Sequence, residues 1–198
     1  MQLRMTATVG MIALAVFTLV VAGCGGGDND SSAGATGTAT GKVPFDLAFI
    51  DAMVPHHRSA IAMAKAAQKA GLSQPELVKI AGDIVSSQQT EIDEMLDWRE
   101  QWYGSRDVEP MNADTLGMSD EEMGMMGHDM ESDIAHSDDV DAAFADAMIP
   151  HHEGAIAMAK LADERAQHQE IKDLGAAIIS AQEREITILE KHAKGMHH

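Results

Sequence analysis

The sequence of 198 residues has one cysteine, few aromatic residues and a shortage of positive charge. A single cysteine excludes an intrachain disulfide. Lysine and arginine total 14 against 32 aspartates and glutamates, which gives a net charge of −18. A chain this acidic is repelled by nucleic-acid phosphates and concentrates cations near its surface, so we expect metal ions and no nucleic acid among its partners.

Signatures of common catalytic sites are also absent from the sequence. It contains no Glu-x-x-His of the kind used by di-iron bundles, no His-Glu-x-x-His, no Walker loop and no Gly-x-Ser-x-Gly elbow. Asp133 and His136 have a spacing found among metal ligands, but they fall in a loop, where the spacing carries little weight. We therefore do not expect an enzyme.

The N-terminus, residues 1–23, has the features of a signal peptide. Arg4 precedes a short apolar run at residues 11–22, which is too short to favour a membrane-spanning helix. The run leads into Val-Ala-Gly-Cys, which resembles the lipobox of bacterial lipoproteins. This resemblance implies cleavage before Cys24 and lipid on its sulfur and amine; the alternative is an ordinary secretory signal with a stray cysteine.

The segment at residues 24–43 consists mainly of small and polar residues and has nothing to bury, so it predicts a flexible tether. Acyl chains on Cys24 would hold the mature protein at the outer face of the cytoplasmic membrane, because each buried methylene contributes about 0.8 kcal/mol. The folded domain would then occupy residues 44–198.

One segment of that domain occurs twice. The first copy begins at Phe45 and reads FDLAFIDAMVPHHRSAIAMAK; the second begins at Val140 and reads VDAAFADAMIPHHEGAIAMAK. In each copy apolar residues recur at spacings of three and four, which predicts a helix with a wide apolar face. Pro55 and Pro150 predict a kink just before the histidines.

A second helix is predicted to follow each copy. Gly71 and Pro75 bound a turn in the first copy, with Ser73 as a candidate cap, and a further apolar stripe runs to about Tyr103. Repeat one (45–102) and repeat two (140–194) are thus helical hairpins that we expect to form an all-α four-helix bundle with approximate two-fold symmetry. The residues expected in its core include Leu77, Ile84, Ile171 and Ile178.

Methionine and histidine recur together on the first helix of each repeat. Thioether sulfur and imidazole nitrogen are soft ligands that suit Cu(I), and Ag(I) by the same argument. Small Ala60 lies on the same seam and leaves room for an ion or another helix. The alternative is that the methionines only fill the core, a common use of this flexible side chain. The candidate ligands along the seams are Met53, His56 and Met63 in repeat one, with Met148, His151 and Met158 in repeat two.

The second histidine of each pair has another interpretation. His57 and His152 lie on the more apolar seam, where a buried histidine is expected to bond a carboxylate on the partner helix. Glu91 and Glu185 interrupt the apolar stripes of those helices and can supply the carboxylates, with Gln88 and Gln182 beside them. Such a pair can also orient a metal-binding imidazole, so the two interpretations are compatible.

The linker between the repeats, residues 104–139, is acidic and rich in glycine and methionine. It has no apolar periodicity that would build a core, so its methionines have no evident core to fill, and exposed methionine is prone to oxidation. We therefore expect them to capture Cu(I) or Cu(II); the alternative is a solvated acidic linker with chance methionines. The candidate residues are Met118, Met123, Met125, Met126, His128 and Met130.

The shared pattern DxAFxDxMxPHHxxAIxMAK, followed by QxxEI at residues 88–92 and 182–186, resembles a bacterial family known as domain of unknown function 305. The resemblance covers residues 45–102 and 140–192. It implies a ferritin-like four-helix bundle and copper handling, since some members are extracytoplasmic copper-binding proteins. It also implies that His57 and His152 belong to the ligand set. The linker is not part of the shared pattern.

These observations lead to one function hypothesis and two alternatives. The hypothesis is a membrane-anchored, extracytoplasmic copper-binding protein that buffers Cu(I), passes it on or confers resistance, with no transfer partner identified. One alternative is a ferritin-like metalloenzyme with iron or manganese held by His57, His152, Glu91 and Glu185. The other is a structural bundle that binds no metal.

Overall fold

The computed structural model describes residues 43–108, 116–125 and 129–194, and every regular element in these ranges is helical. Four long helices confirm the predicted four-helix bundle, and a fifth, short helix lies in the linker. In chain order the helices are α1 (Phe45–Ala70), α2 (Pro75–Tyr103), α3 (Met130–Ala135), α4 (Val140–Arg165) and α5 (Gln169–Leu189). The predicted leader, the tether and Cys24 lie outside the described residues, among which no helix is apolar over a length that could span a membrane.

Glycine and proline set the first hairpin as the sequence predicts. The α1 helix ends at Gly71, whose φ of +108° is left-handed and whose N–H donates to the Ala67 carbonyl. Pro75 opens α2 at a position where its missing N–H is not needed. The α1 helix continues through Pro55, and α4 continues in the same way through Pro150, so neither proline ends its helix.

The two hairpins pack through their first helices. α1 packs on α2, α4 packs on α5, and α1 packs on α4, whereas α2 and α5 contact each other much less. The core runs along these interfaces, and the four residues predicted to be buried are all in it. Leu77, Ile84, Ile171 and Ile178 are each no more than 1% exposed.

Two aspartates hold the hairpins together in a reciprocal arrangement. The carboxylate of Asp46, at the start of α1, accepts hydrogen bonds from the backbone N–H groups of residues 167 and 168, just before α5. Asp141, at the start of α4, accepts from residues 73 and 74, just before α2. α1 and α4 are therefore antiparallel, and each caps the other hairpin. The predicted local cap by Ser73 is wrong, because its hydroxyl donates to Asp141 instead.

The described parts of the linker are folded onto the bundle, contrary to the expectation that it builds no core. Leu116 and Met123 are at most 2% exposed and belong to the cluster around Phe49 and Met53. Ile134 of α3 is 1% exposed and joins the opposite cluster. The linker lacks apolar periodicity because these apolar residues come from turns and a short helix, which have no long repeat.

Candidate metal centre

The histidine pairs of the two repeats meet where α1 crosses α4. His56, His57, His151 and His152 are each at most 1% exposed. The rings of His56 and His151 lie against each other, with 3.8 Å between their centroids and 34° between their planes. Because these two residues are equivalent in the repeats, the approximate two-fold axis passes between their rings.

The outer histidine of each pair contacts a glutamate on the second helix of its own hairpin. Nε2 of His57 lies 2.7 Å from Oε2 of Glu91, and Nε2 of His152 lies 2.7 Å from Oε2 of Glu185. The glutamate side chains are 19% and 18% exposed, so each carboxylate reaches from the core to the edge of solvent. These are the carboxylate–histidine pairs that the sequence predicted.

The inner histidines differ from each other. Nε2 of His56 donates to the backbone carbonyl of Met123 at 2.8 Å. Neither nitrogen of His151 makes a hydrogen bond of normal geometry among the described residues, although the nearby backbone of His56 slightly raises the pKa of this ring. The two repeats therefore present chemically different rings at equivalent positions, and the linker is the cause.

These bonds determine which ring nitrogen is free in His56, His57 and His152. In a neutral imidazole, the nitrogen that faces an acceptor oxygen must carry the proton, so the lone pair lies on the other nitrogen. Nδ1 of His56, His57 and His152 is buried and has no partner among the described residues. Metal-binding histidines commonly hold their second nitrogen against a carboxylate or backbone carbonyl in this way.

The two glutamines beside the histidines also have unpaired oxygens. Oε1 of Gln88 and Oε1 of Gln182 are buried without a partner in the described structure. An unsatisfied buried acceptor is costly, and native proteins contain few of them. Seven buried polar atoms without a partner are found in six residues of the described structure, and at least six of them can accept a hydrogen bond or bind a cation.

The two inner histidines are held neutral. Burial, and then repulsion from His57 whenever that ring is protonated, lower the pKa of His56 from 6.5 to about 3. Burial, and then repulsion from His56 whenever that ring is protonated, lower the pKa of His151 well below its ordinary value. Because a metal ligand must be unprotonated, rings that stay neutral at physiological pH can bind an ion without first losing a proton.

The methionines of the repeats are buried on both sides of the histidines. Met53, Met63, Met148 and Met158 are each 0% exposed. Met53 and Met158 belong to one buried cluster, whereas Met63 and Met148 belong to the other. This pairing follows from the antiparallel crossing, which brings the start of one helix beside the end of the other.

Met53 and Met63, the candidate ligands on either side of His56, are too far apart to bind the same ion. The two methionines are ten residues apart on one helix, which corresponds to about 15 Å at about 1.5 Å per residue. No single ion can contact both of them. On the first helices of the repeats, two sulfur atoms for one ion would therefore come from different repeats.

The described linker methionines pack into the core, so the expectation that they have no core to fill is wrong. Met123 is 0% exposed, and Met118 and Met125 are partly buried against the same cluster. Met130 opens α3 and packs against the opposite cluster. Met126 and His128 lie outside the described residues.

Sequence reasoning missed the Met123 carbonyl and the glycines that bring it into place. A Cβ on Gly154 would lie 2.0 Å from the Met123 oxygen, and one on Gly124 would lie 2.1 Å from the Pro150 oxygen. Ser59 occupies the position of Gly154 in the other repeat. That departure from the repeat is the signal that could have located the contact.

The described residues form none of the usual methionine-free metal-binding groups, which consist of His, Cys, Asp and Glu side chains. Within residues 43–108, 116–125 and 129–194, no group of three or more His, Cys, Asp or Glu side chains is placed to hold a metal ion. The histidine–glutamate contacts are thus separate pairs there.

Comparison with known proteins places the chain in a family. The profile of Domain of unknown function (DUF305) matches residues 46–193. The chain belongs to the DUF305 family. This confirms the resemblance seen in the repeated pattern. No curated protein matches the chain at a significant level.

Solved structures of two DUF305-like proteins share the fold. CopM in the Cu(I)-bound form is 32% identical to this chain, which covers 93% of CopM with 74% of its own length at a TM-score of 0.62. CopM has also been solved in Cu(II)-bound and Ag-bound forms, at 34% and 32% identity. A DUF305 protein from Streptomyces coelicolor is 24% identical over 78% of this chain and 98% of its own, with a TM-score of 0.69, and shows the fold alone.

Proposed function

We propose that this DUF305 protein binds copper, chiefly as Cu(I), where α1 crosses α4. The observation that supports this most directly is the set of buried, unpaired imidazole nitrogens lying between two groups of buried thioethers. Sulfur and imidazole suit Cu(I) and Ag(I) and are poor ligands for Mg²⁺ or Ca²⁺. The similarity to CopM, solved with Cu(I), Cu(II) and Ag, supports the same choice of metal.

The arrangement supports two half-sites related by the approximate two-fold axis. One would use the thioethers of Met53 and Met158 with the inner ring His56. The other would use Met148 and Met63 with His151. The bound ion would be a soft cation held by the free nitrogens and the sulfurs. The protein would offer it ligands that are neutral, buried and largely preformed.

The outer histidines have a supporting role in this proposal. Nε2 of His57 is tied to Glu91, and Nε2 of His152 is tied to Glu185, which leaves the two Nδ1 atoms without partners. The carboxylates fix the orientation of these rings and balance the charge of a nearby cation. Gln88 and Gln182 add unpaired amide oxygens at the same level of the bundle.

The linker would provide weaker sites. Met125 is only partly buried, and Met126 and His128 follow it in the sequence. Wrapping an ion with such residues must order several bonds, at roughly 1–2 kcal/mol of backbone entropy per residue fixed. We expect these sites to add capacity without supplying the tightest binding.

The biological setting that we propose rests on the N-terminal sequence. Cleavage before Cys24 and its lipidation would anchor the domain at the extracytoplasmic face of the membrane. A net charge of −18 would concentrate cations near the domain. There the protein would buffer Cu(I), pass it on or protect the envelope from it.

Metal analysis of untagged protein tests the proposed function. The protein is loaded anaerobically with Cu(I), and bound copper, iron and manganese are measured together with chelator-competition affinities. We expect tight Cu(I) binding that the double substitution His56→Ala and His151→Ala removes. His136→Ala is the matched control, because that histidine is exposed and its Nδ1 donates to the Ser132 carbonyl. Bound iron or manganese without tight Cu(I) binding would support the metalloenzyme alternative instead.

A further inference from the structure

The linker turn at residues 119–125, here called the strap, is a compact element with its own hydrogen bonds. The N–H of Met123 donates to the Ser119 carbonyl at 3.1 Å, and the N–H of Met125 donates to the Asp120 carbonyl at 2.9 Å. Gly124 allows the chain to reverse within it, with a φ of +67°. The preceding segment is attached to α4, because Arg165 donates to the Leu116 carbonyl at 2.9 Å.

The strap approaches α4 backbone to backbone. The space between the two is so narrow that a Cβ on Gly154 would lie 2.1 Å from the Met123 carbonyl carbon and 2.7 Å from the Gly124 nitrogen. Only glycine at position 154 permits this contact. The equivalent residue in α1 is Ser59, so the first repeat keeps a side chain at the position where the second repeat has glycine.

This contact sets the chemistry of one inner histidine and not the other. The Met123 carbonyl accepts the Nε2–H of His56 at 2.8 Å, which leaves Nδ1 of that ring as the free nitrogen. His151 makes no hydrogen bond of this length in the described structure, and the nearby backbone of His56, which slightly raises its pKa, holds the ring less firmly. The duplication alone would have made the two rings equivalent.

We infer that the strap is a positioning element of the centre. Through the Met123 carbonyl it fixes the tautomer and orientation of His56, and it thereby makes the His56 half-site different from the His151 half-site. The consequence for binding rests on the proposed function: a soft monovalent cation binds more tightly at the His56 half, because that ring is already oriented.

The first test needs no metal. Long-range nitrogen NMR of the wild-type protein should show His56 as a single tautomer protonated at Nε2, with a weaker restriction on His151. Gly154→Ala should release the strap, so that His56 loses this tautomer preference and the amides of Met123 and Met125 exchange faster with solvent. Ser59→Ala, at the equivalent position of α1, should change neither. Met123→Leu keeps the carbonyl and should retain the tautomer.

The second test measures Cu(I) affinity by chelator competition. Gly154→Ala should weaken the tighter of two binding classes by about 10- to 100-fold, the usual effect of losing a group that orients a metal-binding histidine. Ser59→Ala should leave both classes unchanged. Equal affinity at the two half-sites of the wild-type protein would overturn the inference, as would an unaltered tight class after the strap is released.

The two tests separate this inference from the proposed function. If the wild-type protein binds no Cu(I) tightly, the copper proposal fails, and the NMR measurement still decides whether the strap positions His56. An unrestricted His56 tautomer in the wild-type protein would refute the positioning role whatever metal is bound. That measurement also requires no variant, so a folding defect in Gly154→Ala cannot leave the question open.

Discussion

Replacing Met53 and Met148 by leucine should abolish the tightest class of Cu(I) binding while the bundle remains folded. Both side chains are 0% exposed, so alanine would leave cavities that typically cost 2–5 kcal/mol each. Leucine has a similar volume and costs less than about 1.5 kcal/mol at such a position. It removes the sulfur and little else, which makes it the sharper substitution.

The expected loss of affinity can be estimated from the roles of the residues. Loss of a group that only orients a ligand weakens metal binding by about 10- to 100-fold. Loss of a ligand should cost at least the upper end of this range, or about 2.8 kcal/mol per half-site at about 1.4 kcal/mol per tenfold change. The predicted effect on binding is thus larger than the predicted effect on stability.

Chelator-competition titration gives the affinity, and thermal denaturation followed by circular dichroism gives the stability. Met95→Leu is the matched control, because Met95 is also 0% exposed and lies in the same cluster as Met53, but on α2, which carries no histidine. Tight binding that survives the double leucine substitution would show that these methionines only pack the core. A loss of binding in the Met95 variant would show that the assay reports on packing.

Three further predictions concern the anchor, the caps and the response to acid. Cys24→Ala should leave the protein unlipidated and release it from membranes or leave it unprocessed, as fractionation and mass spectrometry would show; a soluble wild-type protein without lipid contradicts this. Asp46→Ala and Asp141→Ala should each lower stability by about 0.5–2 kcal/mol in thermal denaturation, because each frees backbone N–H groups of the other hairpin; unchanged stability in both variants would mean that these caps contribute nothing. The pKa of His56 is lowered from 6.5 to about 3, and that of His151 is also lowered, so the unfolded chain binds protons before the folded protein does. The free energy of unfolding of the metal-free protein should therefore be highest above pH 6.5 and fall as the pH drops towards 3, by at most about 1.4 kcal/mol per pH unit for each ring. Urea denaturation between pH 4 and 8 checks this, and a flat profile would contradict it.

The helices were predictable because their signals are local and repeated. α1 and α2 have the bounds that the apolar seams and the turn at Gly71 and Pro75 indicated. The reciprocal caps were not predictable, since Asp46 bonds residues more than a hundred positions away. Such contacts depend on how the two hairpins meet, and nothing in either hairpin alone specifies this.

The sequence indicated which residue types line the candidate site, but it could not indicate how they group around the histidines. The duplication identified Met53, His56 and their equivalents, and the glutamate partners followed from interrupted apolar stripes. The antiparallel crossing of α1 and α4 decides which methionines lie on the same side of the histidines. It pairs a methionine near the start of one helix with a methionine near the end of the other. The contribution of Met123 lies in its backbone carbonyl, and a carbonyl has no signature in a sequence.

The charge of a bound ion would account for the presence of both uncharged ligands and histidine–glutamate pairs at the candidate centre. Thioethers and neutral imidazoles carry no charge, so a buried Cu(I) ion would add one uncompensated positive charge, which is costly in a protein interior. The rings of His57 and His152 lie 6.5 Å from those of their neighbouring inner histidines, and each bonds a glutamate at 2.7 Å. On the proposed function, these carboxylates balance the charge of the ion without contacting it. The sulfur and imidazole set would then select for a soft cation, while Glu91 and Glu185 would lower the energetic cost of burying it.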